Sequence, residues 1–377
     1  MNVTVICDVL GEPNNGTTIA TLNFINSLKK KGHNVSVVCA DEDKKELPGY
    51  YVVPKLNLGV LNKIVSNNYV SLAKPDKNLI AEAVSGADVV HLQLPFALGR
   101  VGLKAARKMG KPVTASFHCQ AENLTTHFFM MNSALANRIT YKNFYRHVFR
   151  KVDKVHYPTA FIRDLFEKTV GKTNSVVISN GVNEGFFREH QKKRISGKFT
   201  VVCTGRFSDE KAQHVLIKAA ALAKHKDGIK IIFAGAGPLK EKYIKLARKC
   251  GADCEFNLFA RDELIGLLNG ADLYVHTATI EIEAIACTEA IVSGLVPVIC
   301  DSPKSATRAF ALDENNLFKM NDPKDLAKKL DFWYENKELI QVYKEKYKKM
   351  APNFDQGMCM DKMEQMLLEA IEKNKSA

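Results

Sequence analysis

The chain has 377 residues, with 54 Lys and Arg against 41 Asp and Glu and a formal net charge of +13. This length predicts two domains, and a content of 46% hydrophobic and 25% charged residues excludes a disordered chain, a collagen-like chain and a disulfide miniprotein. No apolar run reaches the roughly 18 residues that span a bilayer, and the first residues, MNVTVICDVL, predict a strand and not a signal peptide.

Short apolar runs rich in Val and Ile alternate with helical stretches through the first half of the chain. Helices are expected between the runs, for example at 17–31, 98–109 and 159–168. Runs without strict polar alternation are typical of parallel strands buried on both faces of a sheet. The predicted strands are 3–7, 34–39, 50–53, 87–94, 112–117, 154–158 and 175–179.

The second half repeats this alternation. Its predicted strands are 199–205, 230–235, 254–257, 271–276 and 296–301. Its predicted helices are 211–224, 238–250, 261–269, 284–293, 323–334 and 337–349. Strand–helix alternation in both halves predicts an α/β protein with two doubly wound, Rossmann-like domains.

A polar, glycine-containing stretch separates the two halves and predicts the domain boundaries. We expect an N-terminal domain at 1–180, a linker at 181–198 and a C-terminal domain at 199–350. The remaining residues, 351–377, contain an amphipathic stretch that predicts a final helix, which could pack back on the N-terminal domain.

The positive charge is concentrated in the first half. Residues 1–180 contain 23 basic against 13 acidic residues, whereas the remainder contains 31 against 28. Such an excess suits phosphate groups, nucleic acid or an anionic membrane. A nucleic-acid-binding protein is the alternative from another class, but the sequence has no recognised nucleic-acid motif and its second half is nearly neutral.

Basic residues recur at every fourth position between 138 and 154, which on a helix would place them on one stripe. Four apolar residues could pack on another face: Leu135, Ile139, Val148 and Val152. The apolar run FFMM at 128–131 lies just upstream. One interpretation is a solvated helix face beside core residues, and the other is an interfacial helix that contacts lipid. The basic residues are Arg138, Lys142, Arg146, Arg150 and Lys154.

The nine cysteines are odd in number and include no C-x-x-C pair. Most lie inside apolar runs, as in TVIC and SVVC, which indicates buried thiols in a reducing compartment. Cys250 and Cys254 lie four residues apart, but no nearby His or Cys pair completes a zinc site.

Three glycine-containing or basic turns follow predicted strands. Gly16 lies where the first helix would start, a place where backbone N–H groups can approach an anion or where glycine serves turn geometry alone. In GRFSDEK, Arg206 and Lys211 lie between a strand and a helix, where two cations can neutralise a diphosphate or be ordinary surface charge. GAGP at 235–238 resembles a dinucleotide fingerprint, but Lys240 occupies its third glycine position.

Two acids flank the start of a helix in HTATIEIEAIACTEAIVSGLVPVICD at 276–301. Glu281 falls in the predicted loop after a strand, and Glu289 falls inside the following helix. One carboxylate could meet a sugar hydroxyl and the other a ribose, whereas the alternative is a pair of surface acids.

Taken together and in this order, these motifs resemble the retaining glycosyltransferases of family four, which have the two-domain GT-B fold with the domains facing across a cleft. The matching pieces are SNGV at 179–182, GRF with EK at 205–211, GAGP at 235–238 and the E-x7-E element with EAIVSGLVPV. The resemblance covers nearly the whole chain. It implies a hexosyltransferase that uses a nucleotide sugar.

The resemblance implies a role for each matching residue. Arg206 and Lys211 correspond to the pair that contacts the diphosphate, Glu289 to the acid that holds the ribose, and Glu281 to the acid near the donor sugar hydroxyls. Gly16 corresponds to the loop glycine at the phosphates. His118, in SFHCQAEN, corresponds to a histidine lining the catalytic cleft, although a lone histidine after a strand is often a core residue.

The sequence departs from the family pattern at two places. The usual glycine-rich stretch after the first acid is here Ile282-Glu283-Ala284, and Glu283 could face solvent or join the site. The N-terminal double glycine is here Asn15-Gly16, so one glycine carries over. No D-x-D metal motif is evident, since DED at 41–43 lies far from the other motifs, and the resemblance implies no required cofactor or metal.

A narrower resemblance connects the chain to bacterial glycosyltransferases that act on diacylglycerol. It rests on SFHCQAENLT, the stretch from IEIEAIACTEA to DENNLF and DPKDLAKKLDFWYE. It implies transfer from UDP-glucose or UDP-galactose to a lipid acceptor, diacylglycerol or ceramide, at an anionic membrane surface on the cytoplasmic side, with no nucleic-acid partner. Transfer to a soluble or polysaccharide acceptor stays open as the alternative.

Overall fold

The computed structural model describes residues 1–8, 10–11, 16–57, 72–125, 130, 133–188 and 195–376. Parts of the predicted features lie outside the described residues: Asn15, Phe128, Phe129, Met131 and the linker segment 189–194. The chain forms two compact units, Met1–Asn180 with Gly357–Ala377, and Gly181–Gln356.

The first unit is built on a seven-stranded sheet in which every described pairing is parallel, in the order β3-β2-β1-β4-β5-β6-β7. Side chains of β1 and β4 are almost wholly buried, as expected for strands covered on both faces. The strands are β1 (Asn2–Ile6), β2 (Asn34–Cys39), β3 (Tyr50–Val52), β4 (Val89–Leu92), β5 (Val113–Ser116), β6 (Lys154–Tyr157) and β7 (Ser175–Val177).

Helices connect these strands, and side-chain caps begin several of them. Asp76, Ser133 and Thr159 each accept a hydrogen bond from a backbone N–H of the first helical turn that follows, which satisfies donors that have no partner inside the helix. The helices are α1 (Gly16–Lys30), α2 (Lys77–Ser85), α3 (Ala97–Lys108), α4 (Ala121–Thr125), α5 (Ala134–His147) and α6 (Ala160–Val170).

The second unit contains a six-stranded parallel sheet in the order β10-β9-β8-β11-β12-β13. Its strands are β8 (Phe199–Thr204), β9 (Ile229–Ala234), β10 (Cys254–Asn257), β11 (Leu273–His276), β12 (Pro297–Asp301) and β13 (Leu317–Lys319). Its helices are α7 (Gln213–Leu222), α8 (Lys240–Cys250), α9 (Arg261–Gly270), α10 (Ile285–Val292), α11 (Pro323–Glu335) and α12 (Lys337–Lys348). The prediction of two Rossmann-like α/β domains is therefore confirmed.

The last helix, α13 (Gln356–Lys375), packs within the first unit. Met363 and Leu367 are buried in the same core as Phe24 and Leu28 of α1. At the rim of this contact the ammonium group of Lys31 pairs with two carboxylates of α13, those of Asp361 and Glu364. Burial of apolar side chains and ion pairing therefore stabilise the packing of α13 within the first unit.

The basic segment departs from its prediction in two ways. Helix α5 ends at His147, Arg150 lies in the 3₁₀ turn Phe149–Lys151, and Lys154 begins β6, where its ammonium lies 3.4 Å from the carboxylate of Glu369. The prediction of one helical stripe of five basic residues is therefore wrong. The helix carries three of them, Arg138, Lys142 and Arg146.

The predicted apolar face of this segment is also wrong at its first two positions. Leu135 is 70% exposed and Ile139 is 58% exposed. The buried side of α5 is instead formed by Tyr141, Phe144 and the polar Asn137. The helix therefore presents large aliphatic side chains to solvent among its basic residues.

Strand order reverses direction at one place in each sheet. In the first sheet the reversal falls between β1 and β4, and in the second between β8 and β11. Ligands of open α/β sheets bind at the carboxyl ends of the strands at such a point. None of the helices in the described ranges is both long and apolar enough to cross a membrane.

Candidate active site

The turn between β8 and α7 carries Arg206 and Lys211 at the reversal point of the second sheet. Arg206 is partly buried two residues after the strand, and Lys211 ends the 3₁₀ turn Asp209–Lys211. The buried amide of Gln213 donates to the carbonyl of Arg206 at 2.7 Å. This bond ties the start of α7 back to the turn and fixes the backbone that carries Arg206.

The GAGP loop supports the same turn from the neighbouring strand β9. A Cβ on Gly235 would lie 2.0 Å from the carbonyl oxygen of Gly205, and one on Gly237, whose φ is +156°, would lie 2.5 Å from that of Phe207. The backbone N–H of Phe207 donates to the carbonyl of Ala236 at 2.9 Å. The two glycines therefore allow the loops to pack backbone against backbone, which fits a structural role for this motif.

The loop after β11 brings Glu281 to Lys211. The Glu281 carboxylate forms an ion pair with the Lys211 ammonium and lies 3.1 Å from Nε2 of His276, which ends β11. The side chain of Glu281 is 11% exposed and that of His276 is 3% exposed. Lys211 and Glu281 belong to separate motifs in the sequence, and the structure brings them into direct contact.

Electrostatics keep this pair charged. Burial alone would raise the pKa of Glu281, but the charge of Lys211 and the contacts of His276 lower it to about 2. Burial likewise opposes the charge of Lys211, yet the Glu281 carboxylate raises the pKa of that ammonium above its ordinary value. The site therefore holds a carboxylate and an ammonium in fixed contact at neutral pH.

His276 connects Glu281 to the interior of the sheet and was missed by the sequence analysis. Its Nδ1 lies 3.2 Å from the hydroxyl of Tyr274, and that hydroxyl lies 2.9 Å from the hydroxyl of Thr204 on β8. A histidine as the last residue of an apolar strand, two residues after a tyrosine, is the signal that could have found it. The chain of contacts orients the imidazole toward Glu281.

The backbone of the loop after β11 is fastened to the turn after β8. The Thr277 hydroxyl donates to the carbonyl of Lys211 at 2.6 Å, and the N–H of Thr279 donates to the carbonyl of Glu210 at 2.8 Å. Ala284 then precedes α10 as its N-cap residue, with φ at +63°, a left-handed conformation that favours glycine. The family glycine missing at this position is thus replaced by an alanine in a strained conformation.

Glu289 lies one turn into α10 and is half-buried. Burial raises the pKa of its carboxyl to about 7, although the nearby charge of Arg261 opposes that rise. Among the described residues, nothing donates a hydrogen bond to its carboxyl oxygens, and Lys211 pairs with Glu281 and not with Glu289. Glu283, whose orientation the sequence left open, is buried, with 5% of its surface exposed.

In the first unit, His118 and Gly16 lie near one another at the carboxyl edge of the sheet. His118 follows β5 and is 9% exposed, and Gly16 is the exposed first residue of α1. The hydroxyl of the next residue, Thr17, donates to the carbonyl of His118 at 3.5 Å. Burial is the main reason that the pKa of His118 is lowered to about 3, with a smaller contribution from the neighbouring imidazole of His156, so the His118 ring is neutral at neutral pH.

Two further buried histidines form a hydrogen-bonded chain that the sequence analysis did not predict. Burial lowers the pKa of His156 to about 4 and that of His91 further, so both rings are neutral. Since Nε2 of His156 donates to the carbonyl of Ile178 (2.7 Å), its Nδ1 accepts from the Ser116 hydroxyl (2.8 Å). That oxygen accepts from Nε2 of His91 (2.9 Å), whose Nδ1 accepts from Thr114 (2.8 Å). The chain fixes each tautomer.

Within the described ranges, no group of three or more His, Cys, Asp or Glu side chains could hold a metal ion. The DED stretch is described, and its first residue has a structural task. Asp41 accepts hydrogen bonds from the backbone N–H groups of Leu10 (2.6 Å) and Gly11 (3.0 Å).

Two family models match consecutive parts of the chain. The model "Glycosyltransferase Family 4" matches residues 14–186, and "Glycosyl transferases group 1" matches residues 186–350. Together they match residues 14–350, which include most of both units.

Curated relatives include two enzymes with different donors or acceptors in their names. The alpha-monoglucosyldiacylglycerol synthase of Streptococcus pneumoniae is 26% identical over 56% of this chain, which spans 51% of that relative's length. A GDP-mannose-dependent alpha-mannosyltransferase of Mycolicibacterium smegmatis is 26% identical, with 79% of each chain covered.

Solved structures of other proteins are also similar to this chain. The catalytic domain of cholesterol-alpha-glucosyltransferase from Helicobacter pylori is 49% identical, covering 41% of this chain and 98% of that one, with a TM-score of 0.40. Anabaena HepE in complex with UDP and glucose is 18% identical, with a TM-score of 0.73 and coverage of 98% and 100%. With both Rossmann-like sheets and both family models in place, the chain belongs to the family-four glycosyltransferases with the GT-B fold.

Proposed function

We propose that the protein is a retaining hexosyltransferase that moves glucose or galactose from a uridine diphosphate sugar to a membrane lipid such as diacylglycerol or ceramide. The observation that carries the proposal is the contact of Lys211 with Glu281 at the reversal point of the second sheet, where Arg206 lies in the turn after β8 and Glu289 in α10. There Arg206 and Lys211 supply positive charge, and Glu281 and Glu289 supply hydrogen-bond acceptors of different kinds. This combination suits a diphosphate joined to two hydroxyl-bearing sugars.

The chemistry of the transfer matches these groups. The bond between the anomeric carbon and the diphosphate oxygen breaks, its electron pair leaves with the diphosphate, and the acceptor oxygen bonds to the same carbon from the same face. A diphosphate oxygen takes the acceptor proton, so we assign no protein general base. Arg206 and Lys211 stabilise the leaving diphosphate, because its negative charge grows in the transition state.

The two acids have different tasks in this proposal. Glu281 is held as a carboxylate by Lys211 and His276, so it accepts hydrogen bonds from donor sugar hydroxyls with its orientation already fixed. Glu289 carries a carboxyl whose pKa is about 7 and which lacks a donor among the described residues. A ribose diol would supply the donors and favour the ionised form.

In the first unit we propose His118 as a residue at the reacting sugar and Gly16 as a backbone donor to phosphate. A neutral imidazole at neutral pH can donate to one hydroxyl and accept from another without a net charge. The start of α1 carries N–H groups that have no partner inside the helix, which favours an anion.

We propose that the protein acts at the cytoplasmic face of the membrane, and helix α5 supports contact with an anionic lipid surface. Its exposed side combines Leu135 and Ile139 with Arg138, Lys142 and Arg146. Aliphatic anchors among basic residues are typical of helices that lie in a lipid interface. The diacylglycerol-glucosylating relative supports the same class of acceptor.

Two alternatives stay open. The mannosyltransferase relative supports GDP-mannose as donor, and transfer to a soluble or polysaccharide acceptor would need no membrane contact. Calorimetric titration with UDP-glucose, UDP-galactose and GDP-mannose decides the donor. We expect uridine donors to bind more tightly. Tighter binding of GDP-mannose would contradict the donor proposal.

The role of the two basic residues is tested separately. The double variant Arg206→Ala with Lys211→Ala should lose turnover far more than acceptor binding.

The acceptor is tested by charge reversal on α5. Changing Arg138, Lys142 and Arg146 to Glu should release the protein from anionic vesicles and slow transfer to lipid in those vesicles, because each basic residue near an anionic surface contributes roughly 1 kcal/mol. Transfer to a short-chain, water-soluble acceptor should survive.

A matched control reverses three exposed lysines elsewhere in the first unit, Lys45, Lys168 and Lys172. The control should keep both vesicle binding and transfer to lipid. Equal losses in the two triple variants, or no loss in either, would contradict a membrane role for this face of α5.

A further inference from the structure

A cavity of about 430 Å³ lies in the first unit between α3 and the end of α5. Its wall combines one buried leucine with five basic side chains: Arg100, Leu103, Lys104, Arg107, His147 and Lys151. It belongs to neither the reversal point of the sheet nor the surroundings of His118.

The guanidinium groups of the cavity are held in fixed orientations. Arg100 donates from Nη2 to the side-chain oxygen of Asn143 (2.5 Å) and from Nε to the carbonyl of Pro95 (3.3 Å). Arg107 donates from Nη2 to the carbonyl of Lys151 at 2.7 Å. Planar guanidinium groups fixed in this way are suited to the oxygens of a phosphate.

Positive charge in the cavity exceeds what nearby acids neutralise. The acid at its edge is Asp153, whose carboxylate lies 3.0 Å from Nη2 of Arg107. In the part of the chain that the structure describes, neither Lys104 nor Lys151 pairs with a carboxylate. The pKa of His147 is lowered first by desolvation and then by the charges of Arg100 and Lys151, which agrees with a strongly positive environment.

The exposed side of α5 leads directly into this cavity. Leu135, Ile139, Asn143 and His147 recur at every fourth residue and therefore lie along one side of the helix. The first two are large exposed aliphatic side chains, the third contacts Arg100, and the fourth lines the cavity. From Ile139 to His147 the helix rises about 12 Å, so apolar anchors and cavity share one surface.

The cavity is remote from the edge of the sheet that carries His118. The carboxylate of Asp153 accepts from the N–H of Val113, the first residue of β5, at 2.7 Å. His118 follows the other end of that strand. A ligand in the cavity is therefore distinct from the acceptor that receives the sugar.

We propose that this cavity binds the phosphate of an anionic phospholipid headgroup while Leu135 and Ile139 enter the adjoining lipid. The phosphate chemistry follows from the converging guanidinium and ammonium groups, and the exposed aliphatic side chains favour a lipid over a soluble phosphate as its source. The inference rests on the proposed lipid-directed function and adds a second, non-reacting lipid to it.

The test compares two double variants of the full chain in vesicle sedimentation. Lys104→Gln with Lys151→Gln removes two cavity charges, and Lys108→Gln with Lys168→Gln removes two exposed charges of the same unit outside the cavity. The vesicles contain phosphatidylcholine with one third phosphatidylglycerol, or phosphatidylcholine alone. Inorganic phosphate and glycerol 3-phosphate serve as soluble competitors.

We expect the cavity variant to bind the anionic vesicles about 30-fold more weakly and the control variant less than about threefold more weakly. Turnover with a water-soluble acceptor should match the wild type in both. Equal weakening of the two variants would overturn the inference in favour of diffuse surface charge. Displacement from vesicles by millimolar inorganic phosphate would assign the cavity to a soluble phosphate and overturn the lipid source.

Failure of the proposed function has a different signature. In that case the wild type would transfer no sugar to any lipid in the same vesicles, while sedimentation could still depend on Lys104 and Lys151. If the Lys104 and Lys151 double variant sedimented with the vesicles as the wild type does, while the wild type transferred sugar to lipid normally, only the cavity inference would be overturned.

Discussion

Replacing Glu281 by Gln tests the ion pair at the centre of the candidate site. The change keeps the size of the side chain and removes its charge, which leaves the largely buried ammonium of Lys211 without its partner. Breaking a buried pair by removing one member costs about 3–5 kcal/mol. The second unit should therefore unfold more easily while its fold is kept.

The pKa of Glu281 provides an independent magnitude. Its value of about 2, against an ordinary 4.5, corresponds to about 3 kcal/mol of stability at neutral pH. Since the pKa is lowered in the folded protein, this stability is fully present above pH 4.5 and is lost as the pH falls toward 2. The difference between wild type and variant should shrink over that interval.

The single tryptophan makes the measurement specific. Trp333 is fully buried in the second unit, so urea denaturation followed by its fluorescence reports that unit. The control is Glu255→Gln, which removes the exposed partner of Lys230 and should cost less than about 1 kcal/mol. Equal stability of Glu281→Gln and wild type at pH 7, or a difference that persists unchanged at acid pH, would refute the reasoning.

Three other outcomes are expected. Glu289→Gln should weaken binding of the nucleotide sugar by about 1.5–3 kcal/mol in calorimetry, since a charged acceptor for the ribose is lost; unchanged affinity would remove it from the site. Gly235→Ala should press on the carbonyl of Gly205 and reduce turnover about 100-fold with the unit still folded; normal turnover would show that the turn tolerates the shift. The pKa of His156 is about 4 against an ordinary 6.5, so the first unit should lose stability as the pH falls from 6.5 toward 4. Amide protection factors of this unit, which correct for the intrinsic exchange rate, should therefore be constant above pH 6.5 and decrease below it. Protection factors that do not change below pH 6.5 would contradict the neutral histidine chain.

Strands were the most predictable part of the fold. Twelve were expected from short apolar runs, and each of these runs overlaps a strand in the structure. The missed strand, β13, has three residues, LFK, and pairs with β12 at the edge of its sheet. A run this short has no periodicity of its own, so its conformation depends on the neighbouring strand.

The basic segment shows how periodicity fails at a helix end. A spacing of four residues was extended from Arg138 to Lys154, across the end of α5 at His147 and into β6. The exposure of Leu135 and Ile139 could not be predicted from the sequence either, because an apolar residue at helical spacing usually faces the core. Which side of α5 is buried depends on the packing of Tyr141 and Phe144.

The candidate residues of the proposed site can be named from the sequence, but their contacts cannot. Lys211 and Glu281 are 70 positions apart, and their pairing depends on the adjacent positions of β8 and β11 in the sheet. His276 also contacts Glu281, but no motif of the sequence identifies it as a site residue. The low pKa of Glu281 and the high pKa of Glu289 follow from burial and neighbouring charges, which no local pattern shows.

The most direct test of the proposed function is mass spectrometry of the products formed from isotope-labelled donors. The protein would be incubated with labelled UDP-glucose, UDP-galactose or GDP-mannose and vesicles containing diacylglycerol, ceramide or a sterol, with a soluble sugar acceptor in parallel. The proposed function predicts a labelled hexosyl lipid from a uridine donor, and the NMR signal of the anomeric proton in the purified product should show the anomeric configuration of the donor. Label found only in free sugar or in the soluble acceptor would contradict it.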